Sequence, residues 1–177
     1  MKTYDVAVLV GSLRRESINR RLAPPTLALR EVPLAELPMY NGDLESQRPD
    51  SVNRFTAEVA RADAVLMVMP EYNRSLPAVL KNAIDWGSKP MDRNVWRDKP
   101  LAMAGTSPGA IGTAVGQQHL RQIMGILGAV VLGGEAYLSF KPGLIDADGA
   151  VSDESTAKFL AAYIARFAAL TERLAAR

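Results

Sequence analysis

At 177 residues, with 21 lysines and arginines against 19 acidic residues, the chain carries a net charge of +2 and no basic run, so nothing points to a nucleic acid or other polyanion as partner. It contains no cysteine, which excludes disulfide scaffolds, thiol catalysis and thiolate metal sites. The length suits one domain, residues 1–177, able to bury a core unaided.

In chain order, Tyr4-Asp5 enters the first strand, Val6–Val10, at once. The charged-then-apolar pattern of a secretory signal is absent, and no apolar run approaches the ~20 residues of a membrane span. A cytoplasmic protein that makes no use of a membrane is the expectation. Ser17 to Ala23 reads as a short helix stopped by Pro24-Pro25, because proline lacks the N–H and clashes with the preceding turn. Thr26–Leu29 is strand two and Leu37–Asn41 a loop. Ser51 is placed to cap a helix reaching Ala62, with Phe55, Val59 and Ala62 on one face.

The apolar run Ala64–Met69 is strand three, and Pro77 suits the first turn of a helix running to Trp86. Leu101–Ala104 is strand four, followed by a helix over Thr113–Leu127, and Ala129–Leu132 is strand five. Asp146–Gly149 reads as a turn and Thr156–Ala176 as a long final helix. Short apolar runs alternating with helical patterns mark a parallel sheet covered on both faces. The expected fold is α/β, a flavodoxin-like doubly wound five-stranded sheet of order 2-1-3-4-5.

In such sheets ligands bind at the carboxyl ends of the strands. The turn after strand one is Gly11-Ser12-Leu13-Arg14, with Ser17 and Asn19 following. Glycine permits the bend, hydroxyls and an amide donate, and the Arg14 guanidinium suits phosphate oxygens. Taken singly, each residue also fits a serine cap beside solvated arginines; taken together, they point to phosphate. No Gly-x-Gly-x-x-Gly and no Walker lysine are present, so one mononucleotide phosphate suits the turn better than a dinucleotide.

The turn after strand three, Pro70-Glu71-Tyr72-Asn73, offers backbone groups and a tyrosine ring. It can supply the apolar wall and polar edge that an isoalloxazine needs, or be a rigid proline turn with ordinary surface contacts. Ser107 and Gly109, in the turn after strand four, would close the opposite edge of the ring; glycines there fit a strand cap as well as a cofactor contact. The ligand these turns describe together is FMN.

With Leu80-Lys81-Asn82-Ala83-Ile84-Asp85-Trp86 added, and more weakly Gln118-His119-Leu120-Arg121-Gln122, the chain resembles the NADPH-dependent FMN reductase family, in the branch that contains bacterial quinone and chromate reductases. The resemblance spans nearly the whole chain. It implies FMN, hydride donation from NADPH or NADH, and homodimers or homotetramers. By position it places Ser12, Arg14, Ser17 and Asn19 on the phosphate, and Pro70, Glu71, Tyr72, Asn73, Ser107 and Gly109 along the ring.

The expected activity is an FMN-dependent NAD(P)H oxidoreductase passing electrons to a quinone, with free flavin or metal oxyanions as further acceptors. A shared flavin face predicts ping-pong kinetics. No side chain need act as catalyst, because FMN carries the chemistry. One departure from the family is the first helix, which generally runs about two turns, roughly seven residues, longer before comparable proline-containing sequence.

A flavodoxin-type carrier is the alternative, opposed by the positive net charge. A phosphoacceptor receiver domain would need acidic residues where Ser12 and Arg14 stand. The single histidine, His119, has no clustered ligands and is expected at a surface or interface. Met39, Met67, Met69, Met103 and Met124 read as core filler. Lys81 and Asp85 read as a surface pair, and Trp86 as packing at the end of its helix, near a neighbouring subunit's flavin.

Overall fold

The computed structural model describes residues 3–15, 17–21, 28–146 and 149–175. Its strands are β1 (Asp5–Val10), β2 (Ala28–Glu31), β3 (Ala64–Val68), β4 (Pro100–Ser107), β5 (Val130–Val131) and β6 (Tyr137–Ser139). The helices are α1 (Ile18–Arg21), α2 (Asp50–Arg61), α3 (Ala78–Gly87), α4 (Ala114–Ile126) and α5 (Glu154–Ala175). The strands form a parallel sheet of order β2-β1-β3-β4-β5, as the alternation of apolar runs predicts.

β1, β3 and β4 are central and apolar apart from Asp5 at the start of β1 and Thr106 and Ser107 at the end of β4, and both faces of the sheet are buried. Ala7, Leu9, Val65, Met67, Leu101 and Met103 pack with Phe55, Val59, Leu80, Ile84, Leu120 and Met124 from α2, α3 and α4. Val6, Val8, Leu66, Val68, Ala102 and Ala104 face Tyr163, Phe167 and Leu170 of α5. At this density a single lost methylene would be felt.

The fifth strand position differs from the expectation. β5 is only two residues long and pairs with Pro100 and Leu101, while β6 pairs with Gly105–Ser107 farther along β4. Between them β4 has no strand beside Met103. The gap is filled from α5: the Tyr163 hydroxyl donates to Met103 O at 2.8 Å and accepts from Met103 N at 3.2 Å. One side chain thus stands in for a length of ladder and satisfies two buried backbone groups.

Other differences are local. Strand two is described from Ala28 onward; Thr26, Leu27, Pro24-Pro25 and the predicted end of the first helix lie outside the described residues. Pro49, not Ser51, sits at the start of α2, and Ser51 lies inside the helix. α5 begins two residues earlier than expected, because Asp153 Oδ1 accepts the Thr156 N–H at 2.7 Å and the Ser155 hydroxyl at 2.7 Å. The Thr156 side chain, then the Ser155 hydroxyl and the Thr156 N–H, hold the Asp153 carboxyl down at about 2.

Met39 is 73% exposed, against the core role expected for it, whereas Met67, Met69, Met103 and Met124 are fully buried. Trp86 is fully buried within its own chain, so its ring is not open to contact from a neighbouring subunit. Its indole N–H donates to Pro38 O at 2.8 Å. One turn earlier, Asn82 accepts from Tyr40 N at 2.7 Å and donates to Pro38 O at 2.9 Å. The i, i+4 spacing puts both side chains on one face of α3, where they hold the 37–40 loop by its backbone. Lys81 and Asp85 form the predicted pair at 2.7 Å. Among the described residues, no helix is long and apolar enough to cross a membrane.

Candidate functional site

Because β1, β3 and β4 are parallel and adjacent, their three following turns meet along one edge of the sheet. Gly11 leaves β1 with its N–H on Val68 O at 2.8 Å. A Cβ there would stand 3.0 Å from Met69 Cβ, so the first two turns are in close contact.

In the first turn Ser12, Ser17 and Asn19 are buried, while Arg14 is exposed and makes no ion pair among the described residues. The Ser17 hydroxyl has no hydrogen-bond partner although it is 4% exposed. Such orphaned groups destabilise a fold unless a ligand or water satisfies them. Asn19 is already engaged. Its amide nitrogen donates to Thr106 O at 3.1 Å and its oxygen accepts from Thr106 N at 2.9 Å. This two-point bond ties the first turn to the end of β4.

Arg20 braces the same turn from outside. It pairs with Glu31 at 2.9 Å and donates to Arg14 O at 3.1 Å. The Arg14 backbone is therefore fixed while its guanidinium stays available.

The second turn is held from both sides. Tyr72 and Ser75 exchange two backbone hydrogen bonds, with Asn73 and Arg74 between them at φ of 50° and 63°. The Tyr72 ring is half exposed. Glu71 N donates to Ser107 Oγ at 2.8 Å, which places Ser107, from the third turn, beneath the second. Glu71 Oε2 accepts from Gly116 N at 2.8 Å. Ser75 Oγ lies 3.1 Å from Nδ1 of His119, which is exposed on α4.

Beyond Ser107 the third turn passes through Gly109, which is exposed and has nothing within 4 Å of the position a Cβ would take. Ser139 Oγ of β6 donates to Gly109 O at 3.1 Å. β6 thus supports the third turn, a role that sequence reading missed because Tyr137-Leu138-Ser139 is too short to show a period. Thr106 was missed as well. Its Oγ1 is fully buried without a partner, beside the Asn19 clamp.

The donor set fits FMN: buried hydroxyls and an exposed guanidinium without an ion pair among the described residues at one end, a half-exposed tyrosine and open glycine at the other. Among the described residues no group of three or more His, Asp or Glu side chains is arranged to hold a metal. Separately, a groove of about 1270 Å³ runs between α3 and α4, lined by Leu76, Lys81, His119, Gln122, Ile123 and Ile126.

Comparison with known proteins agrees with this fold. The profile of the NADPH-dependent FMN reductase family matches residues 4–143. A 2-hydroxy-1,4-benzoquinone reductase from a Burkholderia species is 43% identical over 172 residues, covering 93% of this chain and 94% of that protein. A quinone reductase from Pseudomonas putida is 45% identical over 176 residues, covering 94% of each. Among solved structures, the flavoenzyme FerB from Paracoccus denitrificans, an NAD(P)H:(acceptor) oxidoreductase, superposes with a TM-score of 0.90 at 41% identity, covering 97% of this chain and 98% of that one. The chain belongs to the NADPH-dependent FMN reductase family and is a flavodoxin-like oxidoreductase that works with FMN and NAD(P)H.

Proposed function

We propose that residues 1–177 form one FMN-binding unit that transfers electrons from NAD(P)H to a quinone in two half-reactions at a shared face. The observation that carries the site assignment is the Ser17 hydroxyl, buried and without a partner among the described residues, in the turn after β1 that also carries the exposed Arg14. Ser12, Arg14 and Ser17 hold the phosphate. Asn19 holds the turn itself, through Thr106, and so presents those donors.

Pro70, Glu71, Tyr72 and Asn73 line one edge of the ring, with Ser107 and Gly109 across from them. When bound, FMN accepts hydride from NAD(P)H and passes electrons to the acceptor. The chain's part is to fix the ring's edge with backbone donors already in place, which lowers the reorganisation needed as charge develops. It also keeps one face open. Leu13, Tyr72 and Ile111, all exposed, stand in the three turns at that edge and give an apolar rim suited to a quinone. An open rim admits donor and acceptor in turn, which supports ping-pong kinetics. The names of the quinone reductase relatives support the same class of acceptor.

The test is a visible spectrum with FMN, followed by NADPH or NADH without oxygen. Bound flavin that bleaches, and recovers when a quinone is added, is the expected result; flavin that stays oxidised with both donors points to a carrier. Arg14→Ala should weaken FMN binding by about tenfold or more, as loss of a charge-assisted contact does, with the fold unchanged. Unchanged retention of FMN would remove Arg14 from the site.

A homodimer or homotetramer formed through the α3–α4 groove is part of the same proposal, since Ile126 is 86% exposed beside Ile123 and Leu76. Light scattering should give a multiple of 19.2 kDa, and Ile126→Arg should lower it; a monomeric wild type would reject this assembly.

A further inference from the structure

We infer that the Glu71 carboxylate is a positioning residue, a latch that joins the Tyr72–Ser75 turn to the first turn of α4 and so holds that turn ready for FMN. The inference rests on the FMN reading above. The turn does not hold itself. Its two central residues, Asn73 and Arg74, both have positive φ, and this kind of turn favours Asn-Gly. Arginine in the left-handed region is uncommon and needs support from its surroundings.

Glu71 gives that support with both carboxylate oxygens and its backbone N–H. Oε1 lies 3.3 Å from the Arg74 guanidinium, Oε2 accepts the Gly116 N–H at 2.8 Å, and its own N–H binds Ser107 Oγ. The side chain is 6% exposed. α4 for its part lacks a local cap. Thr113, which precedes it, makes no capping bond, and its hydroxyl instead receives Gln117 Nε2 at 2.8 Å. The negative carboxylate of Glu71 meets the positive end of the helix in its place. The helix start is pressed so close that a Cβ on Gly116 would lie 3.1 Å from Ser75 O. A shift of α4 therefore reaches the ring-facing turn directly.

The experiment compares Glu71→Gln and Glu71→Ala with wild type by FMN fluorescence titration and by amide hydrogen exchange of the apoprotein. The glutamine carbonyl can still accept from Gly116, so Glu71→Gln should keep FMN affinity within about threefold. Glu71→Ala should lose about tenfold or more. Exchange at Tyr72, Ser75 and Gly116 should quicken in Glu71→Ala and not in β1 or β3. Tyr163→Phe, a lesion on the opposite face, should leave FMN affinity unchanged. Glu71→Ala with wild-type affinity, Glu71→Gln as weak as alanine, or exchange rising evenly across the sheet would each overturn the latch. If wild type binds no FMN, the cofactor reading fails by itself and the exchange pattern still decides the latch.

Discussion

Tyr163→Phe should lower stability by about 3 kcal/mol, the sum for two buried backbone groups left unpaired, or roughly 6–12 °C in Tm for a chain of this size. The substitution keeps the ring and removes only the hydroxyl that serves Met103 N and Met103 O. Met103 and Tyr163 are 0% and 1% exposed, so water cannot easily take the hydroxyl's place. Urea or thermal unfolding checks the size of the effect. A loss under about 0.5 kcal/mol, the range of neutral surface changes, would mean that Met103 has another partner.

The same hydroxyl gives a pH signature. Burial raises the Tyr163 phenol above its ordinary 10.0, with the Met103 backbone bond opposing in part. A raised folded-state value means that this contribution is complete below about pH 10 and is lost as pH climbs through the folded value. Wild type should therefore lose stability in strong alkali through a component that Tyr163→Phe lacks.

The second large effect is expected at Gly105, where β4 passes the exit of β3. A Cβ there would stand 2.2 Å from Met69 O and 2.7 Å from Thr113 Oγ1. Because the nearer obstacle is backbone, no rotamer relieves it, and Gly105→Ala should destabilise by about 3 kcal/mol or more. Met69 is tied to the same place by its N–H on Ala104 O at 3.0 Å. The strain therefore passes into Pro70 and Glu71, and FMN affinity should fall as well. Gly109→Ala is the matching control for folding, since nothing lies within 4 Å of its Cβ position. Denaturant midpoints for the two variants decide the matter; a Gly105→Ala midpoint equal to wild type would show that the two strand exits can part.

The sheet order was legible because β3 and the middles of β1 and β4 are continuous apolar runs whose residues lie buried on both faces. The three turns were legible because parallel strands deliver their exits to one edge. What could not be read is how side chains are divided between ligand and protein. Asn19 carries the spacing of a phosphate donor, yet both ends of its amide bind a backbone 87 residues away. Trp86 looked like a helix-end aromatic, and its partner is Pro38 O, 48 residues earlier. Neither bond leaves a local period. The split of the fifth strand position was hidden for a related reason: two- and three-residue strands show no alternation, and the group that bridges them comes from α5.

That broken margin bears on how the molecule behaves in a crowd. An outermost strand leaves a row of N–H and C=O groups that another chain can pair with, and long flat margins seed aggregation. Here one margin is the two residues of β5 and the three of β6, with a tyrosine ring lodged between them. The other is β2, whose four described residues include the charged Arg30 and Glu31. Among the described residues neither margin runs beyond four residues, which is short for a template. The sheet that carries the redox chemistry offers almost nothing for misfolded neighbours to extend.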